Sequence, residues 1–109
     1  MKIIIETPDF KPSPSLREFI ISKVSKLERL HNGIISAELT LEPEVKKTKE
    51  QFRCTLILNI PGKDEYLKAS SPIFEDAILK VVENAQRRLR IRKTQKIERR
   101  RSGVKEKTR

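Results

Sequence analysis

Ile34-Ile35-Ser36-Ala37-Glu38-Leu39-Thr40-Leu41-Glu42 is the stretch that decides the fold. Ile35, Ala37, Leu39 and Leu41 alternate with Ser36, Glu38, Thr40 and Glu42, which is the two-residue period of a strand that buries one face and wets the other. Phe52, Cys54, Leu56, Leu58 and Ile60 repeat the pattern in a following strand, and the charged residues 43–50 read as the loop between them. Pro61-Gly62-Lys63-Asp64 has the chemistry of a turn, and residues 65–70 read as a short further strand. Such a sheet has one apolar face, and the rest of the chain must supply the layer that covers it.

Both flanks supply one. Upstream, residues 2–7 read as a β-branched first strand and residues 8–14, with three prolines, as a connection. A helix follows, capped either by Ser13 with Pro14 at its first position or by Ser15 with Glu18 closing a capping box. Leu16, Phe19, Ile20, Val24, Leu27 and Leu30 recur every three or four residues, giving it one buried face, and Asn32-Gly33 ends it with residues that tolerate positive φ. Downstream, Ser71-Pro72 opens a second helix with stripe Phe74, Ala77, Ile78, Val81, Val82, Ala85 and Leu89, expected to run to about Lys93 or further. The order β-α-β-β-β-α implies an α+β two-layer sandwich, a four-stranded sheet with two helices on one face. Residues 1–96 form its domain, and residues 97–109 a basic tail expected to be disordered, most clearly from Ser102-Gly103 onward.

Charge points to the partner. The chain of 109 residues has formal charge +10 and 36% apolar residues, enough for one modest core. Counted from the sequence, residues 1–91 carry 16 Lys/Arg against 13 Asp/Glu, and residues 92–109 carry 9 against 2. A basic excess so placed suggests nucleic acid or an anionic membrane surface. No apolar run approaches the ~20 residues of a membrane span, and the tail lacks an apolar face to lie on a bilayer. With no signal peptide at its start and a single cysteine, Cys54, the chain reads as cytoplasmic.

Catalytic chemistry has little to stand on. His31, the one histidine, sits at a helix end, where a cap or an exposed side chain is the ordinary role. Cys54 faces the apolar side of its strand, where a buried thiol is inert packing. No metal-ligand spacing or glycine-rich phosphate loop occurs, so no enzyme, cofactor or small-molecule substrate is expected.

The cations are more informative. Lys23, Lys26 and Arg29 follow at intervals of three on the first helix, a ridge slanting from the apolar stripe towards solvent. Lys23, within the stripe, either snorkels to reach a ligand or covers the stripe's edge with its stem. On the second helix stand Lys80, Arg87, Arg88, Arg90, Arg92 and Lys93, with no acidic residue between Glu83 and Glu98. Like charges at helical spacing repel, and phosphate is the natural compensator, suited to the flat guanidinium fork. Phe19, Phe52 and Phe74 read as core, leaving too few aromatics for a base-stacking platform, and no helix-turn-helix is evident. Backbone-dominated, salt-sensitive binding to folded RNA is the expectation.

The chain resembles the short ribosome hibernation-promoting factors, also described as ribosome-associated inhibitors or sigma-factor modulation proteins, over residues 1–93. The resemblance rests on Pro14-Ser15-Leu16-Arg17-Glu18-Phe19, Lys23-Val24-Ser25-Lys26-Leu27-Glu28, Gly33-Ile34-Ile35-Ser36-Ala37-Glu38, Ile60-Pro61-Gly62, Phe74-Glu75-Asp76-Ala77-Ile78 and Arg87-Arg88-Leu89. It implies a domain like double-stranded-RNA-binding modules, which occupies the decoding channel of the small ribosomal subunit and grips its rRNA. The bound factor keeps idle ribosomes silent under stress or in stationary phase, and is monomeric when off the ribosome. Carried over by position, the RNA-binding residues are Lys23, Lys26, Arg87, Arg88 and Lys93; Arg29, Lys80, Arg90 and Arg92 are added from charge and helix face. Three departures stand out: Leu79 where relatives commonly carry Asp, no second domain of the kind that pairs ribosomes in long members, and a longer, more basic tail. A transcription modulator acting through a sigma factor or DNA is the competing reading, and a constitutive ribosomal protein a third.

Overall fold

Ala37, Leu39 and Leu41 pair in register with Leu58, Leu56 and Cys54, and all six are wholly buried. They belong to the central strands β2 (Ser36–Lys46) and β3 (Lys49–Asn59) of an α+β fold. This computed structural model describes the backbone of residues 1–46 and 49–107, and side chains for residues 1–45 and 50–93. The sheet is completed by β1 (Lys2–Glu6), parallel to β2, and by β4 (Glu65–Ser71), antiparallel to β3, in the order β1-β2-β3-β4. A parallel pair needs a long crossover, and residues 7–35 provide it through α1 (Pro14–Ser25) and one 3-10 turn, Lys26–Arg29. The second helix, α2 (Phe74–Lys107), lies over β3 and β4 and touches α1.

Both helices deliver their stripes to one core: Leu16, Ile20, Val24 and Leu27 from the first helical segment, and Ala77, Ile78, Val81, Val82, Ala85 and Leu89 from α2. Each large side chain buried there contributes about 1.5–3 kcal/mol against the entropy of ordering the chain. Phe52 and Phe74 meet edge to face, with centroids 5.5 Å apart, and fix the start of α2 on the sheet.

The open choice at the first helix is settled by Ser13, whose Oγ accepts from Leu16 N–H at 3.1 Å with Pro14 at the first position. Elsewhere the fold departs from the expectations. Residues 43–50 are mostly strand rather than loop. β1 accompanies β2 only as far as Thr40, so beyond it β2 has a free edge, where Pro43 is tolerated. Ile35 is exposed and Ile34 is buried in its place, because the alternation lapses just before β2 begins at Ser36.

Gly33 does not take positive φ; among the described residues only Gly62 does, at 95°, as a Pro61-Gly62 turn requires. The first helix closes instead by tightening into its 3-10 turn. α2 starts at Phe74, not at Ser71-Pro72, since Ser71 is the buried last residue of β4. Its backbone runs on past Lys93 and stays helical through Ser102-Gly103 to Lys107, where a disordered tail was expected, in a stretch rich in Arg, Lys, Gln and Glu, which lose little freedom in a helix. Residues 108 and 109 of the tail lie outside the described residues.

Candidate nucleic-acid interface

The first cationic ridge is straighter than a regular α-helix would make it. Lys26 and Arg29 fall within the 3-10 turn, where residues three apart eclipse. Both are exposed, while Leu27 between them is buried and holds the turn to the core. Lys23 is half-buried, with Nζ 5.6 Å from the centre of the Phe19 ring, so its stem does cover the edge of the apolar stripe.

On α2, Leu89 is buried and turns Arg87, Arg88 and Arg90 outward. The compensating acid missing from this stretch of the helix comes from the sheet. Glu65 pairs with Leu58 and shares strand parity with the buried Leu67, so it points to the helical side at the end of β4. There it meets two arginines four residues apart. Arg92 Nη1 donates to the Lys63 carbonyl at 2.8 Å and lies 3.4 Å from Glu65, and Arg88 Nε lies 3.5 Å from the same carboxylate. Arg92 is 24% exposed and Arg88 57%, so Arg92 is tied to the body of the domain while Arg88 keeps much of its surface. Lys80 Nζ donates to the Ser70 carbonyl at 3.4 Å, and Lys93 is exposed. Glu65 escaped the sequence reading, although its parity with Leu67 was the signal that would have found it.

The opposite face of the sheet has a different character. Pleat parity places Lys2, Arg53 and Lys68 there with Glu6, Glu38, Glu42 and Glu44. Arg53 is bonded to Glu42 at 2.7 Å, and that hydrogen bond and charge raise the guanidinium pKa further. Ser70 Oγ donates to Glu44 at 3.1 Å, and the Asn59 amide bonds to Ser36 Oγ. On this face Arg53 is compensated by Glu42 and the acids outnumber the named cations, while Lys68 stands at its β4 edge beside α2; the helices carry an excess of cations.

His31 is a local brace: its Nδ1 accepts from Gly33 N–H at 2.9 Å. Burial pushes the Cys54 thiol up to about 12, which keeps it protonated and inert. Among the described residues no group of three or more potential ligands could hold a metal, and no helix is long and apolar enough to cross a membrane.

A four-stranded mixed sheet covered on one face by two cation-bearing helices defines a small α+β module with separate core and charge layers. Residues 3–97 match the family model described as sigma 54 modulation protein / S30EA ribosomal protein, and the chain belongs to that family. Its fold is similar to a ribosomal subunit interface protein from Coxiella burnetii, at 17% identity and a TM-score of 0.75 over 86% of this chain and 99% of that one. It is also similar to the N-terminal domain of Protein Y from Thermus thermophilus, at 18% identity and a TM-score of 0.71, covering 82% and 96%. No curated protein sequence matches it significantly.

Proposed function

We propose that this protein is a cytoplasmic, non-enzymatic ribosome hibernation factor. It binds rRNA in the decoding channel of the small subunit and blocks translation by occupying the space of messenger and transfer RNA. The observation that carries the reading is the division of charge: a sheet face on which acids outnumber the named cations, against helices bearing Lys23, Lys26, Arg29, Arg87, Arg88, Arg90 and Lys93. Phosphate neutralises such an array, and steric exclusion needs no catalytic group or cofactor. The family's description as a ribosomal protein and the Coxiella relative's name as a subunit interface protein point the same way.

Lysate from starved cells, sedimented at low salt, tests this: the protein co-migrates with small subunits and intact ribosomes, and chemical footprints fall in the decoding channel. A protein that stays wholly at the top of the gradient defeats the proposal. The family description also names sigma 54 modulation. On that second reading, filter binding shows affinity for a sigma factor or promoter DNA exceeding affinity for the small subunit.

A further inference from the structure

An open groove runs along the free edge of β4 beside α2, bordered by Tyr66, Lys68, Asn84, Arg87, Arg88 and Ile91. Tyr66 is 68% exposed on its strand wall and Ile91 52% exposed on the helix wall. Lys68, two residues along the same strand face, stands ~7 Å from Tyr66, and the helix wall carries two arginines, one of them shared with Glu65.

We propose that this groove holds one unpaired RNA nucleotide, with the base stacked on Tyr66 and the adjoining phosphates held by Lys68, Arg87 and Arg88. The inference rests on the RNA-binding reading and deepens it by naming what the arginines position. A flat aromatic ring offers a base more than it offers a phosphate, and base–aromatic stacking tolerates any base. Cations on both walls fit a chain that carries phosphate on either side of each base. The Asn84 amide, with donors and an acceptor, can address a base edge. A base inside a duplex has its faces covered by its neighbours, so the groove selects a bulged, looped or terminal nucleotide. One ring falls short of the extended platform of single-strand-binding sheets, and it suffices for one base.

Tyr66 is the sole tyrosine of the chain, so 3-fluorotyrosine labelling yields a single fluorine resonance at this site. The labelled protein is titrated with an RNA hairpin bearing one bulged nucleotide, the same hairpin without the bulge, and a polyglutamate peptide. The bulged hairpin shifts the resonance in step with its binding measured by anisotropy, and neither the perfect duplex nor the peptide does so. Tyr66→Ala loses about 5- to 150-fold of affinity for the bulged RNA and leaves duplex affinity unchanged, and Tyr66→Phe keeps both. Equal affinity for the two hairpins, an unmoved resonance and an indifferent Tyr66→Ala overturn the nucleotide site while salt-sensitive RNA binding survives. A shift caused by the peptide alone assigns the edge to an added strand and equally overturns it. Absence of binding to any RNA, small subunits included, is the separate failure that removes the parent reading too.

Discussion

Replacing Arg87 and Arg92 in turn by glutamine separates binding cations from structural ones. Seven helix cations, Lys23, Lys26, Arg29, Arg87, Arg88, Arg90 and Lys93, are at least partly exposed. If each neutralises one phosphate, log affinity falls against log salt with a slope of about −5 to −6, at roughly 0.7–0.9 per contact. Raising salt from about 50 to 200 mM then weakens binding by about 900- to 6000-fold. Arg87→Gln removes one exposed contact, so the slope shrinks by about 0.7–0.9, with stability unchanged to within ~0.5 kcal/mol. Arg92→Gln leaves the slope alone and loses the 2.8 Å bond to the Lys63 carbonyl and the ion pair with Glu65. Arg88 remains beside Glu65, so the cost is at the low end for such bonds, about 1 kcal/mol, or roughly 4–8 °C of melting temperature. Anisotropy of a labelled small-subunit rRNA fragment across a salt series, with calorimetry on both variants, reads the two effects independently. Equal slope changes for the two variants, or a parent slope shallower than about −2, refute the assignment.

Ser13→Ala removes the acceptor for Leu16 N–H and destabilises the domain by about 1 kcal/mol in urea unfolding. Gly62→Ala costs about 1–2 kcal/mol, because its φ of 95° is strained for any residue with a Cβ, and calorimetry shows the loss. Gly33→Ala places a Cβ 2.8 Å from the His31 ring; in a double-mutant cycle with His31→Ala the two costs are strongly non-additive. Cys54 stays unreactive to a thiol reagent at pH 9 in the folded protein, since burial holds its pKa at about 12, and it reacts at once in denaturant. The thiol also makes the fold less stable above pH ~9, where the unfolded chain releases a proton that the folded chain retains until about pH 12.

The layers were legible in the sequence because periodicity reports burial directly. Alternation in Ala37, Leu39 and Leu41 and the three-to-four spacing in Ala77, Ile78, Val81 and Val82 each name a face, and the faces must meet. What escaped depends on the ends of elements and on neighbours distant in sequence. Pro43 looked like a loop residue because nothing local shows that β1 leaves the edge of β2 free after Thr40. Asn32-Gly33 looked like a left-handed cap, whereas the chain closes the helix with a 3-10 turn and a histidine acceptor. For the site, the choice of cations followed from charge and spacing along each helix. The division of labour among them did not, because Arg92 and Arg88 share a carboxylate more than twenty positions upstream. Tyr66 stood outside the core aromatics already in the sequence, but its place beside α2 emerged only once the strand edge was placed.

The length of α2 gives the domain leverage. At 34 residues the helix is ~50 Å long, and among the residues whose side chains are described Leu89 is the last buried one on it. A long rod turns a small tilt of one part of its length into a large sweep at its tip. A cavity beneath Ile78 or Val81 therefore misaims whatever the distal turns engage, and a defect in packing is felt as a loss of grip many ångströms away.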